Sequence, residues 1–322
     1  MIEVYRSLEA VPSGFGPSAV TIGNFDGVHV GHQAILTRCV ARAREGGLTP
    51  TAILFDPHPL RLIAPERAPA LMTTPAERIE RFSAMGIRAA LLLPFTDALR
   101  VLTPEEFARR VLVEKLGARN VVVGGNFRFG ARHAGDIGTL VELGRRLGFQ
   151  AEAVSEIRLN GRVVSSSAIR SAVAEGRLGD ARRLLGAPFR LRGQVVSGRG
   201  IGSKQTVPTL NLDPESELIP ADGVYVTRTR ALDDGRCWRS VTNVGVRPTF
   251  GQSERVAETH LLDPLEGPSP ERIEISFHRR LRAEKKFETP EELRRQILID
   301  AARAQRFFRL LEAVEREQSP VE

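Results

Sequence analysis

The sequence predicts an α/β domain built on a parallel sheet, followed by a small antiparallel β-barrel that ends in a long helix. Three observations predict it. In the first half, short unbroken apolar runs alternate with segments whose apolar residues recur every three or four positions. That is the pattern of strands buried on both faces by crossover helices. Around residue 187 the alternation stops, and strand-like runs separated by turn residues take over. Finally, one amphipathic stripe runs from Pro290 to about Glu315. A chain of 322 residues has room for two cores, and the break divides it into 1–186 and 187–322.

The strands expected in the first half are 18–22, 51–55, 89–93, 120–123 and 151–154, with helical spacing at 35–43 and 107–116. Three helix starts share one pattern: Thr74-Pro75-Ala76-Glu77, Thr103-Pro104-Glu105-Glu106 and Thr289-Pro290-Glu291-Glu292. Thr can cap, Pro suits the first turn, and Glu three residues after the cap completes a capping box. In the second half the expected strands are 189–196, 224–229, 237–244, 258–262 and 273–277, with a hairpin at Asp233-Asp234-Gly235. The last helix carries Leu293, Ile297, Ala301, Ala304, Phe308 and Leu311 on one stripe.

Disorder is not the default reading, since 42% hydrophobic and 26% charged residues are ordinary for a globular chain. The net charge of +7 suits anionic partners, or serves only as a solubilising surface. Cys39 and Cys237 lie too far apart for a metal motif and read as buried packing in a reducing compartment. The first residues carry charge without an apolar core, and the longest apolar runs are too short to cross a bilayer. A soluble cytoplasmic protein is expected.

The richest segment is Thr21-Ile22-Gly23-Asn24-Phe25-Asp26-Gly27-Val28-His29-Val30-Gly31-His32, which leaves a strand and enters a helix. Gly23, Gly27 and Gly31 allow close backbone approach, and the helix start offers free N–H groups to a phosphate. His29 and His32, three apart, can point the same way. Together they suit binding the phosphates of a nucleotide; the alternatives are a paired metal site or two surface histidines. Neither a Walker A loop nor a dinucleotide fingerprint is present.

The Gly-Asn-Phe-Asp-Gly-Val-His-x-Gly-His string resembles the His-x-Gly-His nucleotidyltransferases, in particular the FAD synthetase branch. Three further segments match that branch in order. Phe55-Asp56-Pro57-His58-Pro59 is similar to its flavin-side loop, and Gly124-Gly125-Asn126-Phe127-Arg128-Phe129-Gly130 to its flavin-binding turn. Val164-Ser165-Ser166-Ser167-Ala168-Ile169-Arg170 resembles its phosphate-binding Ser-Ser-Thr-x-x-Arg motif, with Ser167 in place of Thr. The resemblance implies that Gly23, Asn24, Phe25, Asp26, Gly27, Gly31, Ser166 and Ser167 bind ATP. It implies flavin contacts from His58, Pro59, Asn126 and Arg128, and catalysis by His29, His32 and Arg170. The FMN phosphate would attack the α-phosphorus of ATP, so no protein nucleophile is needed.

In the second half, Ser197-Gly198-Arg199-Gly200-Ile201-Gly202-Ser203-Lys204 precedes Val207-Pro208-Thr209-Leu210-Asn211-Leu212. Such a loop can wrap phosphates, and Thr209 and Asn211 on one face of a strand can share a cation. A plain Gly-rich hairpin is the other reading. This stretch resembles the riboflavin kinase signature, as do Asn243-Val244-Gly245-Val246-Arg247-Pro248-Thr249-Phe250, Glu258-Thr259-His260-Leu261-Leu262-Asp263 and Leu281–Phe287. The resemblance implies ATP binding by Gly198, Gly200, Gly202 and Lys204, Mg²⁺ held by Thr209 and Asn211, and Glu258 as the base. His260 could compete for that last role. Two departures stand out: Gln205-Thr206-Val207 before Pro208, and Pro264–Pro270 after Asp263.

The whole reads as a member of the prokaryotic bifunctional riboflavin kinase/FAD synthetase family. The implied architecture is a Rossmann-like parallel α/β nucleotidyltransferase domain followed by an antiparallel six-stranded barrel with a C-terminal helix. Riboflavin, FMN, FAD and ATP are the implied partners, with Mg²⁺ as cofactor, no nucleic acid, no membrane, and a monomer or weak homo-oligomer. A lone FAD synthetase with an inert barrel, a related adenylyl- or cytidylyltransferase with another acceptor, and a non-catalytic flavin- or nucleic-acid-binding protein are the competing readings.

Overall fold

The computed structural model describes residues 1–196, 208–249 and 252–318, which form two compact units, Met1–Ser166 and Ser167–Glu322. The first unit is a parallel six-stranded sheet: β1 (Glu3–Tyr5), β2 (Ser18–Ile22), β3 (Thr49–Phe55), β4 (Ala89–Leu93), β5 (Ala118–Gly124) and β6 (Gln150–Val154). The strand order is β1-β4-β3-β2-β5-β6. Its helices are α1 (Val30–Gly46), α2 (Leu60–Ile63), α3 (Pro75–Ala84), α4 (Asp97–Arg100), α5 (Pro104–Phe107) and α6 (Ile137–Leu147). The 107–116 pattern, expected as an α-helix, runs on from α5 as a π-helical stretch, Ala108–Lys115. A hairpin of β7 (Arg158–Leu159) and β8 (Arg162–Val163) turns at Asn160-Gly161.

Burial on both faces of the sheet explains the unbroken apolar runs. Val20, Ile22, Ile53, Leu91 and Val121 pack one way, with Leu112 and Leu140. Ala19, Ala52, Leu54, Leu92 and Val122 pack the other way, with Leu36, Cys39 and Phe82. The three Thr-Pro starts hold as caps. Thr74 and Thr103 form complete capping boxes, and Thr289 Oγ1 accepts from the Glu292 N–H at 3.2 Å. Edge strand β1 has only three residues and no apolar run to announce it.

Two helices precede the barrel: α7 (Ser166–Ala174), whose first residue is the last of the first unit, and α8 (Leu178–Leu185). A closed antiparallel barrel follows: β9 (Phe189–Val196), β10 (Thr209–Pro214), β11 (Gly223–Ala231), β12 (Cys237–Thr249), β13 (Gln252–Leu261) and β14 (Arg272–Arg282), then α9 (Pro290–Gln318). Around the barrel the order is β10-β13-β12-β11-β14-β9. Fully buried Thr227, Thr229, Ser240, Thr242 and Thr259 line part of its inside. Their hydroxyls bond to one another at 2.7–3.2 Å, so this polar core leaves few hydroxyls unpaired. Closure depends on Gly193, where a Cβ would stand 1.8 Å from the Asp213 carbonyl.

α9 covers the outer face of β11 and β12, where Ala304 and Phe308 meet Val224, Val226 and Val241. Its buried Asp300 accepts from Arg282 at 2.9 Å. The expected stripe is seated only in its later turns. Leu293 is exposed, because it precedes the part of the helix anchored through Asp300. Cys237 is also exposed, against the packing role expected of it: it opens β12 beside the hairpin turn, whereas Cys39 is buried.

On β14, His278 lies against the Phe307 and Phe308 rings, 5.8 Å away between centroids in each case. Burial, reinforced by Arg228, Arg182 and Arg190, pushes its pKa down from 6.5 to about 4. The unfolded chain binds this proton first, so the stability is complete above about pH 6.5 and falls as the pH drops toward 4. The loss at the acid end is about 3 kcal/mol. In a buffer without multivalent anions, acid titration of the melting temperature should show this loss, and His278→Gln should flatten it. An unchanged acid limb in the variant would remove His278 as the source.

Candidate active sites

In the parallel sheet, β2, β3 and β4 step outward to one side, and the chain then returns to place β5 on the other side of β2. The strand order reverses between β2 and β5, and such sheets bind ligands beyond the carboxyl ends at that point. The Gly23–His32 segment leaves β2 there, the Gly124–Arg128 segment leaves β5, and His58 follows β3.

Asp26 organises the first segment. Its carboxylate is buried and accepts from the N–H groups of Met72 and Thr73, at 3.0 and 3.1 Å, and from the Thr73 hydroxyl at 3.1 Å. Thr73 Oγ1 in turn accepts from the Gly27 N–H at 3.0 Å. Arg78 of α3, also buried, donates to the carbonyls of Asn24 and Thr73, both at 2.9 Å. Arg81 donates to the Gly27 carbonyl at 2.7 Å. Gly27 itself has φ +80°, a left-handed conformation that favours glycine. The Ser166 hydroxyl donates to the Asp26 carbonyl at 3.1 Å.

This frame fixes the histidines. His29 caps α1, its Nδ1 accepting from the His32 N–H at 3.2 Å. Nδ1 is therefore unprotonated, and in the neutral ring the proton sits on Nε2, which becomes a donor. The His29 and His32 rings stack with centroids 3.6 Å apart. Phe25, buried, packs edge-on to His32 and to Phe82. Gly31 has no room for a side chain without crowding, because a Cβ would sit 3.2 Å from the His29 ring. Two imidazoles are thus presented together at a helix N-terminus, where a phosphate is favoured.

The remaining residues expected in this half are placed as follows. Asn24 Nδ2 lies 2.9 Å from His58 Nε2, which ties the loop after β2 to that after β3. Pro59 starts the turn into α2. Asn126 and Arg128 are exposed just beyond β5, and Arg128 pairs with Asp136 at 3.1 Å. Ser167 and Arg170 lie in the first turns of α7, with Arg170 one turn beyond Ser166 on the same helical face. Sequence reading missed Thr73, Arg78 and Arg81. The only signal is the position of Arg78 on the buried side of an amphipathic helix.

In the barrel, register assembles the second cluster. Asn211 of β10 is opposite Glu258 of β13, which is opposite Asn243 of β12. One step along, Thr209 is opposite His260, and Thr209 Oγ1 lies 2.8 Å from His260 Nδ1. Burial holds the His260 pKa below its usual value, although Glu258 pulls the other way. Neutral His260 can then accept the Thr209 hydroxyl proton. Gly198, Gly200, Gly202 and Lys204 lie outside the described residues. Among the described residues no cluster of His, Cys, Asp and Glu could hold a metal by itself. Hard oxygens from Thr209 and Asn211, beside Glu258, still match what Mg²⁺ accepts along with nucleotide phosphates.

Fold and clusters define a two-module nucleotide-dependent transferase. The FAD synthetase family model matches residues 13–168 and the riboflavin kinase model residues 185–308. The chain is 39% identical to a bifunctional riboflavin kinase/FMN adenylyltransferase of Pseudomonas fluorescens, over 88% of this chain and 91% of that one. It is 34% identical to the enzyme of that name from Escherichia coli K12, over 90% and 93%. A Streptococcus pneumoniae crystal structure titled as a macrolide-efflux protein superposes with TM-score 0.83 at 26% identity, covering 94% of this chain and 98% of that one. The chain belongs to the bifunctional riboflavin kinase/FMN adenylyltransferase family. Among the described residues no helix is long and apolar enough to cross a membrane.

Asp26→Asn keeps one oxygen for the donors on Oδ1 but sets an amide donor where Oδ2 accepts from the Met72 N–H at 3.2 Å, and it removes the charge. It should lower stability by about 1–3 kcal/mol and reduce FAD formation from FMN. Melting and FMN turnover at wild-type levels would show that the Asp26 frame does not set the loop.

Proposed function

We propose that this chain phosphorylates riboflavin to FMN in its barrel module and adenylylates FMN to FAD in its α/β module, using ATP for both. The observation that carries this is the presence of two polar clusters on two separate sheets, each matching a different family model. We assign the adenylylation to residues 1–186 and the phosphorylation to 187–322.

In the α/β module the FMN phosphate attacks the α-phosphorus of ATP, and pyrophosphate leaves. Donors at the start of α1, with the Nε2–H of His29 and the ring of His32, stabilise the charge that develops on the phosphates. Gly23, Asn24, Phe25, Asp26, Gly27 and Gly31 shape the cradle; Ser166, Ser167 and Arg170 add hydroxyls and a planar cation. His58, Pro59, Asn126 and Arg128 take the flavin side. In the barrel, Glu258 removes the proton from the riboflavin 5′-hydroxyl as it attacks the γ-phosphorus of ATP, the bond to the β-phosphate oxygen breaks, and ADP leaves. Thr209 and Asn211 hold Mg²⁺, which when bound neutralises phosphate charge. Gly198, Gly200, Gly202 and Lys204 complete the ATP site. We read the protein as cytoplasmic, a monomer or weak homo-oligomer, acting on small molecules and not on nucleic acid.

His29→Ala with His32→Ala should lower FAD formation at least about 10²-fold and leave riboflavin phosphorylation intact. Equal loss of both activities would contradict two separate sites. Glu258→Gln should do the reverse, lowering FMN formation by about 10²–10⁴-fold while FAD still forms from added FMN. A kinase rate unchanged by that substitution would exclude Glu258 as the base.

A further inference from the structure

The barrel wall opposite the Thr209–Glu258 cluster has a chemistry that neither reaction uses. In the strand order, β14 stands three places from β13, across the barrel. Ile273, Ile275 and Phe277 of β14 are fully buried in the interior, so Glu274, Ser276 and His278 alternate to the outside. By the same alternation β9 presents Arg190 and Arg192 there, and β11 presents Arg228 and Arg230. Register sets them in two rows, Arg228–Ser276–Arg190 and Arg230–Glu274–Arg192.

The second row is internally neutralised in part. Glu274, 5% exposed, is 2.6 Å from Arg192, 3.6 Å from Arg190 and 3.7 Å from Arg230. In the first row Ser276 carries no charge to offset Arg190 and Arg228. Arg228 lies over the Phe308 ring. Asp263, which also feels Arg228, is taken up by Arg239 in a bond of 3.0 Å. Arg182 of α8, which packs on β9 and β14, adds a further positive charge around His278. Buried polar atoms here also lack partners. Both ring nitrogens of His278 and the Nε of Arg190 are shielded from solvent without a hydrogen-bond partner. Unpaired buried donors beside surplus guanidinium charge are costly unless an anion supplies the acceptors.

We propose that Arg190, Arg228, Ser276 and His278 form a binding site for the phosphoryl group of a small phosphate-bearing molecule, separate from both reaction sites. His278 lies against Phe307 and Phe308 of α9, and α8 packs on β9 and β14; a phosphomonoester or diphosphate carries the acceptor oxygens that these groups lack. Pyrophosphate, ADP and FMN all carry that chemistry. The assignment is independent of which residues perform either reaction.

The test uses the full chain with ¹⁵N-labelled histidine, and identifies the His278 signals by their loss in His278→Gln. Pyrophosphate added at constant ionic strength should shift them saturably and raise the pKa at which they titrate, because the anion favours the imidazolium. Arg190→Gln with Arg228→Gln should weaken that response about tenfold or more while riboflavin phosphorylation continues. If that pair fails to fold, Arg190→Lys with Arg228→Lys keeps the charge, loses the planar fork, and should still bind more weakly than wild type. ADP and FMN should reproduce the pyrophosphate shift. No response to pyrophosphate, a response to ADP or FMN alone, or an equal response to sodium chloride at matched ionic strength would overturn the proposal.

Discussion

Strand register is the constraint on which both clusters depend. Side chains alternate along a strand, so a slip of one residue sends every functional group to the opposite face. In the barrel, Asn211, Glu258 and Asn243 form one row across three strands only because β10, β13 and β12 pair as they do. Shifted by one, Glu258 would exchange places with fully buried Thr259, whose hydroxyl belongs to the interior network. That network and Gly193 therefore protect the outer cluster without touching it. In the α/β module, pairing of β2 with both β3 and β5 brings three loops to one edge.

The two sites use different means of support. The α/β site is a loop, and loops need fastening: Asp26 and Arg78 spend buried charge on backbone groups of their own chain. Buried charge is costly unless it is fully hydrogen-bonded, so placing it behind a loop is consistent with a segment whose shape must be kept. The barrel site sits on strands, where backbone pairing already sets the spacing. There the pairing of β10 with β13 already sets Thr209 beside His260, 2.8 Å apart.

Much of this was legible in the residues. The apolar runs at 18–22 and 89–93 became β2 and β4 at those bounds, and 189–196 became β9. The Thr-Pro caps and the Asp233-Asp234-Gly235 hairpin between β11 and β12 were local signals, and local chemistry decides such features. The strand-to-helix segment with its two histidines was visible because its signals are contiguous. What stayed hidden was long-range. Nothing near Arg78 or Thr73 in the chain announces that they grip residues about fifty positions away. Exposure of Leu293 and Cys237 depends on where packing stops, which periodicity does not encode. The outer Arg190–Arg228 wall appears only after three strands from distant parts of the sequence are set side by side.

The central claim is that one chain carries both steps from riboflavin to FAD. The most direct measurement incubates the purified protein with riboflavin, ATP and Mg²⁺ and separates the flavins by chromatography over time. The account predicts FMN first and FAD after it, with riboflavin consumed in step. FAD formed from added FMN, with riboflavin left untouched, would contradict it and leave the barrel without its reaction.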